Sequence, residues 1–275
     1  MAEKKSRLSQ AKRKQLEHRL RAVEKRDRFL RRDRTGDMAV IEEVFDRLTL
    51  TVIYELMNQG ALERLEGVVS AGKESRVYSG VDTHGNYVAV KVYLTTSAEF
   101  RRGMLPYLEG DPRFEHVKRN TRSLIYSWAQ KEFKNLRRAY DAGVRVPKPI
   151  LVKGNVLVME FIGERGLPAP LMKDTVRRDT TRLYRLLIDA VHRLYVRARL
   201  VHADLSEYNV MIWKGKPVIF DLSQGVPLEH PMAEKFLKRD LENLNHYFQL
   251  LGVSVTPVEK IYKQVVKGGR GSDSR

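Results

Sequence analysis

The chain has 275 residues, 42% of them hydrophobic, and 51 Lys/Arg against 34 Asp/Glu give a net charge of +17; that length can bury one catalytic-sized core. With no cysteine, a disulfide framework, a thiolate nucleophile and a thiolate zinc site are excluded. No apolar run reaches the roughly 18 residues of a membrane span and the N-terminus lacks a secretory signal, so a cytoplasmic protein with no membrane partner is expected.

Residues 1–36 hold 14 Lys/Arg against 5 Asp/Glu, more than half of the net charge, with a thin apolar line at Leu16, Leu20 and Val23. The segment reads as a basic arm, a solvated helix or a chain that orders on a polyanion. Residues 37–64 read as a helical extension: Val44, Leu48, Val52 and Leu56 recur at helical spacing over Glu42–Asn58, and Gly60 follows. The period then changes to two, predicting strands over Leu65–Ala71, Val77–Asp82 and Tyr87–Leu94, the last two joined by Thr83-His84-Gly85-Asn86. An insert of about 95–121 reads as a mobile loop, with a plain surface loop an equal alternative. A helix over Arg122–Tyr140 places Ile125, Ala129, Phe133 and Leu136 on one face. Two strands flank Lys153-Gly154-Asn155. A helix over Asp174–Arg199 buries Leu183, Leu187, Val191 and Leu194, and a strand pair turns at Lys214-Gly215-Lys216. Helices over Met232–Leu251 and Pro257–Val266 follow, and residues 267–275 read as a disordered tail. This order predicts an α+β fold of two lobes, a small β-rich N-lobe over 65–161 and a reduced helical C-lobe over 162–266, with a ligand cleft between them.

The strongest chemical signal is Leu200-Val201-His202-Ala203-Asp204-Leu205-Ser206-Glu207-Tyr208-Asn209, between an apolar helix and a hairpin. Phosphoryl transfer from ATP needs a carboxylate to take the proton of the attacking hydroxyl and oxygen ligands for a metal. Asp204 can supply the first, and Asn209, five residues on, can face the metal from the same loop. Asp221 ends the strand Pro217–Asp221 and can bridge Mg²⁺ to phosphate oxygens. Upstream, strand alternation in Val88-Ala89-Val90-Lys91-Val92 puts Ala89 and Lys91 on one face, space for a flat adenine beside a cation for its phosphates. Glu132, on the following helix, is the partner chosen for the Lys91 ammonium, although the residues alone leave an ordinary surface glutamate as an alternative. The turn Gly72-Lys73-Glu74-Ser75 offers backbone amides and the Ser75 hydroxyl to a triphosphate.

In that order these pieces resemble the RIO family of atypical protein kinases, its first subfamily most closely, from about Val44 to Val266. The motifs are G-K-E-S, V-A-V-K, W-A-Q-K-E-F, M-E-F-I-G-E-R-G-L-P-A-P, H-A-D-L-S-E-Y-N and F-D-L-S-Q. L-P-A-P fits the first subfamily, and residues 37–66 are too short for the winged helix of the second, whose loop G-K-E-S nonetheless matches better. The resemblance implies a serine/threonine kinase or ATPase using ATP with Mg²⁺, Mn²⁺ able to replace it. Asp204 would be the catalytic proton acceptor, Asn209 and Asp221 the metal ligands, and Asp221 also a transient phosphate acceptor. Lys91 would contact the α- and β-phosphates. The Glu160 carbonyl and Ile162 amide would meet the adenine edge, with Met159 at the back of the pocket.

His202-Ala203-Asp204 stands where ordinary kinases have H-R-D, Asp221-Leu222-Ser223 where they have D-F-G, and the next helix begins about ten residues later. An activation segment is therefore absent, and with it the usual platform for a peptide. The implied partner is a pre-ribosomal small subunit or its rRNA, reached through the basic arm, with self-phosphorylation in the 95–121 loop as a further expectation. A small-molecule phosphotransferase of the aminoglycoside or choline kind, and a nucleic-acid-binding protein with a degenerate kinase fold, are the competing readings.

Overall fold

A computed structural model describes residues 45–94, 104, 106–111, 113, 120–175 and 179–270. The basic arm, the first part of the helical extension, most of the insert and residues 271–275 lie outside the described residues. From Thr51 onward the described residues form one compact unit.

The Asp46 carboxylate accepts the N–H groups of Leu48 and Thr49 and so caps α1 (Arg47–Asn58). Its buried stripe runs through Ile53 and Leu56, whereas Leu48 is exposed and Val52 half-buried, so the apolar face is rotated from the one its spacing predicts. Strands β1 (Arg64–Ala71), β2 (Ser75–Val81), β3 (Tyr87–Tyr93), β4 (Pro149–Lys153) and β5 (Val156–Glu160) form one antiparallel sheet in the order β1-β2-β3-β5-β4. β3 takes the centre because both its faces are apolar enough to bury: Val88, Val90 and Val92 fill one side, Ala89 and the Lys91 stem the other.

Asn120 caps α2 (Thr121–Asp141) by accepting the Ser123 N–H at 2.8 Å, and the helix packs on β4. Ile125, Ala129 and Leu136 are buried as the periodicity predicts, with Phe133 half-buried. Lys131, Glu132 and Asn135 are buried as well. The described part of the insert is packed rather than loose: Met104 and Leu108 join Tyr93, Ile125, Trp128 and Ala129 in an apolar cluster.

The hairpin β6 (Gly163–Glu164) and β7 (Leu167–Pro168) leads into a 3₁₀ turn at Met172–Asp174. Helix α3 then covers Thr180–Val196, shorter at both ends than its apolar run suggests. Asp179, at φ 58°, breaks the helical path before it, and Arg199, at φ 54°, turns the chain after it. Strand β8 (Leu200–Val201) pairs with β11 (Val226–Pro227), and β9 (Val210–Trp213) with β10 (Lys216–Ile219). β10 stops at Ile219, leaving Asp221 two residues past the strand. Helices α4 (Ala233–Leu250) and α5 (Val258–Arg270) close the lobe, both packing against α3. α5 runs four residues into the segment read as a tail. Once Ile261 and Val265 anchor the helix in the core, each further residue adds a backbone bond at low cost. One apolar core joins the lobes, from Ala89, Leu157 and Met159 of the sheet to Leu187, Leu241 and Phe248 of the helices.

Candidate active site

A cleft of about 530 Å³ opens between sheet and helices, lined by Ser75, Ala89, Lys91, Glu132, Met159, Glu160, Ile162, Asn209 and Asp221 among others. Apart from Asp204, every candidate site residue singled out in the sequence therefore shares this cavity wall, and Asp204 joins them through Asn209.

Lys91 projects from β3 with its Nζ 3.0 Å from both Glu132 carboxylate oxygens and 2.9 Å from Asp221 Oδ1. Glu132 is fully buried, so the surface-glutamate alternative falls away. It also accepts the Tyr93 hydroxyl, a partner that periodicity gave no reason to seek. Burial alone would depress the ammonium of Lys91; the charges of Asp221 and Glu132 outweigh it and hold the pKa above its ordinary value. Burial pushes the Glu132 carboxyl up, with Lys91 opposing. The Asp221 carboxyl, though desolvated, is drawn down to about 2 by Lys91 and the Ser223 hydroxyl, so it stays ionised.

Asp221 itself has φ 58°, an uncommon conformation for a residue with a Cβ. Its Oδ1 takes both the Lys91 bond and the 2.7 Å bond from Ser223 Oγ. The turn after it is closed by Gly225 N–H to the Leu222 carbonyl at 3.1 Å.

Asp204 stands in the β8–β9 loop. Asn209 Nδ2 donates to its carbonyl at 2.6 Å and to its Oδ2 at 3.1 Å, which turns the Asn209 Oδ1 away from Asp204 and frees it for a cation. Partial desolvation raises the Asp204 carboxyl, against the Asn209 hydrogen bond. The preceding Ala203 has φ 66°. This strained backbone is gripped by α4: Asp240 accepts the N–H groups of Ala203 and Leu205, and Arg239 donates to the Ala203 carbonyl. Burial lifts the Asp240 carboxyl to about 7, against those two backbone bonds. His202 Nε2 lies 3.1 Å from the Phe220 carbonyl, tying this loop to the Asp221 strand. Burial lowers its pKa to about 4, so the ring is neutral.

Two other placements follow. The Glu160 carboxylate is taken by Arg145, at 2.7 and 2.8 Å, and by the Lys148 N–H, while its own N–H donates to the Lys148 carbonyl at 2.8 Å, so neither its side chain nor its amide is open to a ligand. Glu74, in the turn beside Ser75, carries no signal in the sequence; burial and the charge of Asp221 push its carboxyl up, with Asp204 adding and Lys91 opposing.

The donors facing the cleft from Asn209 and Asp221 are oxygens, which suit a hard cation. Among the described residues no group of three or more His, Cys, Asp or Glu could hold a metal alone. A cation here would need ligand oxygens as well, as Mg²⁺ on a nucleotide does.

A protein-family model described as the RIO domain matches residues 76–261. The chain belongs to the RIO family. Its relatives are serine/threonine kinases by name: it is 40% identical over 248 residues to the RIO-type serine/threonine-protein kinase Rio1 of Haloferax volcanii, covering 90% of this chain and 84% of that protein. It is also 40% identical over 235 residues to the serine/threonine-protein kinase RIO1 of Caenorhabditis elegans, covering 84% of this chain but only 46% of that longer protein. The RIO fold is matched in the crystal structure of the Rio2 kinase-ADP/Mg²⁺-phosphoaspartate complex from Chaetomium thermophilum, with a TM-score of 0.59 and 22% identity over 81% of this chain and 70% of that one. The RIO1 names agree with the first subfamily of the sequence resemblance. Among the described residues no helix is long and apolar enough to cross a membrane.

Proposed function

We propose that the chain is an ATP- and Mg²⁺-dependent atypical serine/threonine kinase, with ATPase turnover, acting in the maturation of the small ribosomal subunit. The observation that carries the catalytic part is the Lys91 ammonium held between Glu132 and Asp221 in the cleft wall. Such a cation is fixed where α- and β-phosphates would lie, and its charge persists at any working pH. Mg²⁺, when bound, neutralises phosphate charge; Asn209 Oδ1 and Asp221 Oδ2 would hold it. Asp204 would orient the attacking hydroxyl and accept its proton. Glu160, through its carbonyl, and Ile162, through its amide, would bind the adenine edge, with Met159 behind the base and Ser75 over the phosphates.

In this reading Asp221 is also the acceptor of a covalent transfer. Its ionised oxygen would attack the γ-phosphorus while the bond to the β–γ bridging oxygen breaks, releasing ADP. Attack by a hydroxyl or water on the acyl phosphate then returns the carboxylate. The Chaetomium Rio2 complex, whose description names a phosphoaspartate, supports this reading. The ribosomal part rests on the basic arm of residues 1–36, whose charge suits an RNA backbone. Family membership weighs against the small-molecule phosphotransferase.

The test is incubation with γ-phosphate-labelled ATP and Mg²⁺, with and without purified small-subunit particles, following protein label, acid-labile acyl phosphate and free phosphate. Particles should raise turnover, and Asp204→Ala should bind ATP yet lose turnover by about a hundredfold or more. Turnover unchanged in Asp204→Ala, or label passing to an aminoglycoside-like metabolite, would overturn the reading.

A further inference from the structure

Two buried polar residues of α2, Lys131 and Asn135, reach the turn that follows Asp221. Lys131 Nζ donates to the Ser223 carbonyl at 3.0 Å. Asn135 Nδ2 donates to the Leu222 carbonyl at 2.9 Å and to the Gly225 carbonyl at 2.8 Å, spanning both ends of the turn. The fit is close: a Cβ on Gly225 would come within 3.0 Å of Asn135 Nδ2. Glu132, between them, meets Asp221 through Lys91.

An amide donating both its hydrogens must also have its oxygen satisfied when buried. The donor is Arg113, whose Nη1 lies 2.8 Å from Asn135 Oδ1. Arg113 comes from the insert, 22 residues before Asn135. It is itself held by Asp111, with Nε at 2.8 Å from Oδ1 and Nη2 at 2.6 Å from Oδ2. The Asp111 carboxylate is buried, and Arg113 draws its pKa down despite that burial. Arg113 also fixes which end of the Asn135 amide faces the turn: a guanidinium can only donate, so it accepts only the orientation with the oxygen towards itself and the nitrogen towards the two carbonyls.

We propose that Asn135, oriented by Arg113 and Asp111 of the 95–121 insert, is a positioning residue that sets the backbone of residues 222–225 and thereby aims Asp221 at the metal. The insert is then a control point for the metal site. Changes to it, such as phosphorylation or contact with a binding partner, act on metal use through Arg113 without touching the nucleotide pocket. This rests on the reading that Asp221 holds the cation.

The experiment measures, on the full chain, the Mg²⁺ concentration for half-maximal turnover beside the affinity for ATP without Mg²⁺. Arg113→Ala and Asn135→Asp should each raise the Mg²⁺ requirement about tenfold, the size of losing one buried charge-assisted bond, with metal-free ATP affinity kept within about twofold. Asn135→Asp puts an acceptor against the two carbonyls without changing the side-chain size. Arg113→Lys, which restores one donor, should recover part of the loss. An unchanged Mg²⁺ requirement in Arg113→Ala and Asn135→Asp, or an equal loss of metal-free ATP affinity, overturns the proposal. Asp221→Asn, which also loses the proposed nucleophile and is therefore read by the Mg²⁺ dependence of ADP binding, separates the two readings: if it alone shifts that dependence, the insert link fails and the metal assignment stands, and if it shifts nothing, the metal assignment itself fails.

Discussion

Asp240 accepts the N–H groups of Ala203 and Leu205 at 2.8 and 2.9 Å, so one buried carboxyl holds the peptides on both sides of Asp204. Asp240→Ala would leave two buried donors unmet, each costing about 1–3 kcal/mol. The expected result is a stability loss of about 2–4 kcal/mol in denaturant titration, together with a turnover loss of at least tenfold and ATP affinity kept within about threefold. Normal turnover in the folded variant would show that the clamp does not position the base.

Lys91 is 5% exposed and its removal strands Glu132 inside the protein. Breaking a buried pair from one side costs about 3–5 kcal/mol, so Lys91→Met should unfold at markedly lower denaturant and lose nucleotide affinity. Adding Glu132→Gln removes the stranded charge while keeping an acceptor for Tyr93. The double variant should regain more than half of the lost stability but none of the affinity. Strict additivity of the two stability changes would argue against a coupled pair.

His202 gives stability a pH dependence of known sign. Above pH 6.5 neither state carries the proton; between about 6.5 and 4 the unfolded ring is protonated and the native ring is not. Stability therefore falls as pH falls through that window, by up to about 3 kcal/mol for this residue. Melting temperatures of the wild type and His202→Asn should converge towards pH 4 and separate towards pH 7. Parallel curves would show that His202 does not stay neutral in the fold.

Deleting residues 1–36 should weaken binding to small-subunit RNA and flatten its dependence on salt while leaving ATP hydrolysis unchanged. An arm neutralising about six phosphates would contribute about a thousandfold between 50 and 200 mM salt. Equal affinities and slopes with and without the arm would make it a solvated appendage.

What the sequence disclosed depends on how locally each feature is encoded. Val88, Val90 and Val92 alternate with Ala89 and Lys91, so β3 and the side facing the cleft were legible. Asp204, Asn209 and Asp221 share one short stretch, and their spacing is what suggested the proposed chemistry. Asp240, Asn135 and Lys131 were not legible as working groups. Each lies on an amphipathic helix where a polar residue reads as solvent-facing, and each is buried by a loop remote in sequence. Asp240 reaches across 37 residues and Asn135 across 90 to meet its backbone partners. Glu132 lay between these cases: a family pattern pointed to it, and in the fold it is buried 3.0 Å from the Lys91 ammonium.

The Arg145 pairing with Glu160 bears on inhibitor chemistry. An adenine mimic carrying an added amine would meet a carboxylate already doubly engaged, and would have to displace a guanidinium with matched geometry to reach it. Such a group would bring little gain in potency. Potency would instead come from ligands that fill the apolar space beside Met159 and leave that corner of the pocket untouched.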